Sequence, residues 1–90
     1  MKRIHLIISG LVQGVGYRSW VKGKAQKLGV TGWVKNRDDG TVELVVEGGS
    51  HEIDQMIELC RQGPPAGSVE RMEKSTEPYK GEFRGFTIAY

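Results

Sequence analysis

Apolar and polar positions along the chain change period several times, and each change marks an element. Arg3 to Ser9 is short, apolar and rich in branched side chains, which predicts a buried strand ended by Gly10. Gly10, Gly14 and Gly16 then punctuate a loop over Leu11 to Gly16. From Tyr17 to Leu28 the apolar residues Tyr17, Val21, Ala25 and Leu28 share one helical face, and Gly29 supplies the stop. Gly23 inside this helix costs up to ~1 kcal/mol relative to Ala, so the helix needs tertiary packing. Val30 to Lys35 predicts a second strand, and Asp39-Gly40 a hairpin turn. Thr41 to Glu47 alternates, with Val42, Leu44 and Val46 on one side and Thr41, Glu43 and Glu47 on the other.

Ser50 is placed to N-cap a second helix whose inner face is Ile53, Met56, Ile57 and Cys60, and Gly63-Pro64-Pro65 stops it. A weaker strand signal covers Ser68 to Thr76, and Pro78 to Gly81 reads as a turn region. A last strand is expected over Phe83 to Tyr90, with Phe86 and Ile88 on one face. The order is β-α-β-β-α-β with a short extra strand at the end. That is an α+β, ferredoxin-like split βαβ sandwich, with two helices on one face of a mostly antiparallel sheet.

Composition narrows the function classes. Ninety residues, 38% hydrophobic and 27% charged, suit one soluble domain over residues 1–90. The formal net charge is +2 and spread along the chain, which favours small anionic ligands over nucleic acid. One cysteine allows no internal disulfide, and no apolar run reaches the ~20 residues of a membrane span. A cytoplasmic monomer with no membrane partner is the expectation. His5 and His51 are isolated, so no metal site and no cofactor are expected, and Cys60 on an apolar stripe reads as a core thiol.

Chemistry concentrates at the first strand-to-helix junction, Gly10-Leu11-Val12-Gln13-Gly14-Val15-Gly16-Tyr17-Arg18. Glycines there let successive amides turn toward one point. The helix N-terminus adds unpaired donors and partial positive charge, and Arg18 in its first turn has the fork geometry that grips two phosphate oxygens. The same residues also fit an ordinary glycine turn with a solvated arginine. Topology bears on that choice. In a split βαβ unit the first two strands are parallel, so their C-terminal ends share one sheet edge. Asn36, after Gly32-Trp33-Val34-Lys35, is thereby expected beside the loop; its carboxamide suits holding a water, although a turn former would also sit there.

Gly10-x-Val12-Gln13-Gly14-Val15-Gly16-Tyr17-Arg18 resembles the first signature of the acylphosphatase family. Gly32-Trp33-Val34-Lys35-Asn36, continuing into Asp39-Gly40-Thr41-Val42-Glu43, resembles the second, and the resemblance spans essentially the whole chain. It implies hydrolysis of the carboxyl–phosphate bond of acyl phosphates, without metal or cofactor. It makes Arg18 the catalytic phosphate-binding arginine and Asn36 the residue that positions the nucleophilic water. The amides of Gln13, Gly14, Val15, Gly16 and Tyr17, with Arg18, would cradle the substrate phosphate, and inorganic phosphate or a similar anion would bind as product or inhibitor. Leu11 departs from the family pattern, where an arginine is common, and Ser19-Trp20 is unusual. Two other classes share the architecture. An RNA recognition motif needs aromatic residues on the third strand, and Thr41 to Glu47 has none. A non-catalytic anion-binding domain is the other.

Overall fold

The computed structural model describes all residues from Met1 to Tyr90. Its elements are β1 (Lys2–Leu11), α1 (Tyr17–Leu28), β2 (Thr31–Asn36), β3 (Val42–Gly48), α2 (Ser50–Gln62), β4 (Ser68–Glu77) and β5 (Phe86–Ile88). The five strands form one sheet in the order β4-β1-β3-β2-β5. All neighbours are antiparallel except β2 and β5, which are parallel. This is the expected ferredoxin-like split βαβ sandwich with its additional last strand.

The predicted alternation decides the core. Ile4, Leu6 and Ile8 of β1, Val34 of β2, and Val42, Leu44 and Val46 of β3 all point to one side of the sheet. Tyr17, Val21 and Ala25 of α1, and Ile53, Met56 and Cys60 of α2, close over them. The two helices also touch each other, so the apolar stripe of each is covered twice. Burial pushes the Cys60 thiol up to about 12, in keeping with a core residue and not a nucleophile.

Three local expectations are corrected. Gly10 does not end β1; the strand runs on to Leu11 through an irregularity in its pairing with β4 at Ser9/Gly10. Gly10 has φ 128°, and a Cβ there would lie 2.2 Å from the Ser68 carbonyl oxygen, so the glycine admits β4 and does not break the strand. Ser50 is the first residue of α2, and Gly49 occupies the cap position, its carbonyl accepting from the Ile53 amide at 2.9 Å. The final strand is only Phe86–Ile88, not Phe83 to Tyr90. On the polar side of β3, Glu47 is 1% exposed.

The short last strand and the buried Glu47 share one cause. β4 and β5 lie on opposite edges, so residues 78–85 must cross the sheet, and they cross the face away from the helices. There Glu47 of β3 accepts from the amides of Lys80 (2.8 Å) and Gly81 (3.3 Å). Arg3 of β1, opposite Glu47 in register, bonds Glu77 at 2.8 Å, Glu82, and Glu47 at 3.4 Å, and lies over the Phe83 ring. The crossing ends where the Gly32 amide of β2 donates to the Gly85 carbonyl.

This ion cluster carries a stability prediction. Arg3 holds Glu77 below its usual range. Glu47 ends below as well: burial works against its charge, but the Lys80 and Gly81 amides and Arg3 outweigh it. Carboxylates depressed in the folded state contribute above the unfolded value, about 4.3, and that contribution is lost as pH falls through the folded value. Urea unfolding followed by circular dichroism should therefore show the midpoint dropping as pH goes below ~4. Arg3→Met, which leaves the buried Glu47 with only the Lys80 and Gly81 amides, should cost up to about 3–5 kcal/mol at neutral pH.

Candidate active site

β1 and β2 are each antiparallel to the intervening β3, so they run parallel to each other and end at the same edge. At that edge β1 hands over to the loop Val12–Gly16 and β2 ends on Asn36. The two glycines of the loop, Gly14 (φ 76°) and Gly16 (φ 78°), take the left-handed conformation that other residues adopt only at a cost. Gly16 is the cap of α1, and the first backbone bond of the helix is donated by Trp20 to the Gly16 carbonyl at 3.0 Å. The amides of Gly16, Tyr17, Arg18 and Ser19 are thus the four helix-start donors with no backbone partner, and no side chain caps them. No acidic residue lies in the first turn of α1 to offset the positive end of its dipole.

These groups surround a cavity of about 130 Å³ lined by residues of three elements and their ends. Val12, Gly14, Gly16, Tyr17, Arg18 and Ser19 come from the loop and the start of α1, Asn36 from β2, and Ile88 and Tyr90 from β5 and its tail. With a water occupying ~30 Å³, the volume suits roughly four waters, or a phosphate-sized anion with little to spare. Arg18 is half-buried, belongs to none of the protein's ion pairs, and has its guanidinium 5.2 Å from the centre of the Tyr90 ring. The Oδ1 of Asn36 is buried and has no hydrogen-bond partner in the protein. An acceptor in that state favours a donor from whatever enters the cavity.

Asn36 and Tyr90 also line a second, wider groove of about 590 Å³ with Lys35, Arg37, Asp38, Asp39 and Glu43. Its carboxylates are partly committed. Glu43 is 2.6 Å from the His5 ring nitrogen, and Asp39 accepts from the amide and hydroxyl of Thr41. The Thr41 hydroxyl in particular holds Asp39 below its usual range. No group of three or more His, Cys, Asp or Glu side chains is arranged to hold a metal ion.

Of the residues singled out in the sequence, Gly14, Gly16, Tyr17, Arg18 and Asn36 meet around the small cavity, whereas Gln13 and Val15 do not line it. Val15 packs against the core. The Gln13 side chain turns to the β2–β3 turn, where Nε2 donates to the carbonyls of Arg37 and Thr41. Tyr17 lines the cavity, but its hydroxyl is sunk in the core and donates to the Cys60 carbonyl at 2.6 Å; burial drives its pKa far up. Leu11 is exposed at the end of β1 and outside the cavity. Ile88, Tyr90 and Ser19 were not singled out for the site. Phe86, Ile88 and Tyr90 do alternate, which was the available sign that they share a face.

Known proteins give the context. The sequence profile of the Acylphosphatase family matches residues 4–88. An acylphosphatase from Pelotomaculum thermopropionicum is 48% identical over 88 residues, covering 98% of this chain and 96% of the relative. One from Methylococcus capsulatus is 44% identical, with the same coverage of both chains. The crystal structure of an acylphosphatase from Bacillus subtilis superposes with a TM-score of 0.96 at 36% identity, covering 100% of both chains.

The structural role of Tyr17 is directly measurable. Tyr17→Phe removes one buried hydrogen bond and should lower stability by about 1–2 kcal/mol in urea unfolding. A loss indistinguishable from zero would mean that the Cys60 carbonyl does not depend on this hydroxyl.

Proposed function

The chain belongs to the acylphosphatase family, and from that premise we propose that its small cavity hydrolyses acyl phosphates to a carboxylate and inorganic phosphate. Arg18 and the amides at the start of α1 hold the phosphoryl group, and Asn36 aims the attacking water. The observation that most supports this assignment is that an unpaired guanidinium, helix-start residues whose amides have no backbone partner, and Asn36, whose carboxamide oxygen has no partner in the protein, meet around one cavity of about 130 Å³.

The chemistry of the bond explains why so few groups suffice. An acyl phosphate is a mixed anhydride, and its leaving group is a carboxylate that departs without being protonated. The remaining demands are a water in line with phosphorus and donors for the charge on the phosphoryl oxygens. Arg18 with the α1 amides meets the second. The Asn36 Oδ1 accepts a hydrogen bond from the water and turns the water's lone pair toward phosphorus. An amide oxygen is too weak a base to take the proton, so the water gives it directly to an oxygen of the substrate phosphate. The P–O bond to the acyl group breaks as the water oxygen bonds to phosphorus. The wider groove, joined to the cavity through Asn36 and Tyr90, then receives the acyl group.

An alkoxide leaving group would need an acid or a metal. We therefore read the enzyme as specific for acyl phosphates and independent of metal ions, with inorganic phosphate as a product that also binds. A radius of gyration of 11.8 Å, close to the ~12 Å expected for one compact body of this length, supports reading residues 1–90 as one domain. That this domain acts as a monomer is part of the proposal. No helix is long and apolar enough to cross a membrane. A cytoplasmic location, with no nucleic acid or membrane partner, completes the proposal. β3 has none of the aromatic residues that RNA recognition by this architecture uses.

Turnover of a model acyl phosphate such as benzoyl phosphate, assayed with a chelator present, tests these assignments. Arg18→Ala should cut kcat/KM by at least ~10²–10³-fold while the protein stays folded. Activity equal to wild type in that variant would refute the role of Arg18. Asn36→Ala should lower kcat strongly and leave inhibition by inorganic phosphate nearly unchanged. A parallel collapse of phosphate affinity would remove the water-positioning role. Loss of wild-type activity in EDTA would show a required metal.

A further inference from the structure

We propose that Gln13 is a positioning residue that locks the phosphate loop to the turn carrying Asn36, so that the phosphate donors and the water-holding carboxamide keep one spacing. This rests on the catalytic assignment above and extends it to a side chain that does not line the small cavity.

Gln13 stands between the end of β1 and the left-handed Gly14. Its Nε2 donates to the Arg37 carbonyl at 2.8 Å and to the Thr41 carbonyl at 2.9 Å. These are the two carbonyls that close the β2–β3 turn from inside: the Arg37 oxygen also accepts from the Gly40 amide at 3.2 Å, and the Thr41 oxygen from the Arg37 amide at 2.9 Å. Asp39 stiffens the same turn through the Thr41 amide (3.0 Å) and hydroxyl (2.6 Å). Asn36 pairs with Val42 in register at the base of this turn. The contact points of Gln13, Arg37 and Thr41, are thus the chain neighbours of that pair, one on each side of the turn.

The residue type fits the task. One nitrogen must present two N–H groups to two carbonyls at once, at the end of a two-methylene arm. Glutamate has the same length but only accepts, and would set a carboxylate against two carbonyl oxygens. Methionine has the same reach and no donor. Residues 12–16 belong to no helix or strand, and Gln13 makes the only side-chain hydrogen bonds between this loop and the turn. Without that clamp the loop and Asn36 are related only through the sheet and the packing of α1 on β2. A misplacement of ~1 Å between reacting groups costs on the order of 10²-fold in rate.

The test is a double-mutant cycle between Gln13 and Asn36, read by kcat and KM for benzoyl phosphate, by inhibition with inorganic phosphate, and by thermal unfolding. Gln13→Met should lower kcat about ten- to a hundredfold. Phosphate inhibition should change by less than about threefold, since the α1 amides and Arg18 are untouched. In an Asn36→Ala background the same substitution should have almost no further effect, because the spacing it guards no longer serves a water. Gln13→Glu, run through the same cycle, should fall at least as far. A merely structural glutamine would instead lower both backgrounds by the same factor, and that result overturns the proposal. So does an unchanged kcat, or a rate loss matched by lost phosphate affinity. Wild-type protein with no turnover of acyl phosphate overturns the catalytic assignment itself. Protein that is active and sensitive to Asn36→Ala, yet indifferent to both Gln13 substitutions, overturns the clamp alone.

Discussion

One buried guanidinium governs how this chain closes. Arg3 is 8% exposed and bonded to three carboxylates from β3, from the end of β4 and from the crossing segment. A charge in that position is costly unless it is fully paired, and each partner comes from a different part of the chain. The crossing of residues 78–85 therefore has one place to lie, over Arg3 and Glu47. The crossing laid there brings β5 against β2 as a parallel edge strand. Ile88 and Tyr90, which complete the wall of the small cavity, arrive by that route. A salt bridge at the far end of β1 thus bears on the architecture of the opposite edge.

At that opposite edge the design is economical. Strand direction brings two chain segments together, and the helix start supplies donors that every helix leaves unpaired. Arg18 adds a permanent charge, and no carboxylate neutralises it. The proposed chemistry asks for little more, because the leaving carboxylate needs no acid. What such a site requires is constant spacing between its parts. The two hydrogen bonds of Gln13 are placed to provide that, by joining the loop to the turn beside Asn36.

Most of the fold was legible because its core follows simple periods. The 3.6-residue stripe of Tyr17, Val21 and Ala25 and the two-residue alternation of Val42, Leu44 and Val46 both point where they should. The misreadings came where a residue answers to a distant partner. Gly10 reads as a strand end, yet it is there to let the Ser68 carbonyl approach. Glu47 falls on the polar side of an alternating strand, which does not show that the crossing segment covers it. Phe83 reads as part of a strand, yet it lies under Arg3.

The site divides along the same line. The residue types and spacings of the first loop, with Arg18 and Asn36, offered an anion site on their own, with an ordinary glycine turn as the alternative, since backbone geometry and functional groups are local properties. The roles of side chains were not local. That Tyr17 sends its hydroxyl into the core, that Gln13 reaches the turn and not the cavity, and that Tyr90 lies under Arg18 depend on which strands lie side by side. Sequence alone set the period of each element and the groups available for chemistry. Tertiary structure decided which of those groups meet, because strand order and the path of residues 78–85 are settled by pairings between residues far apart in the chain.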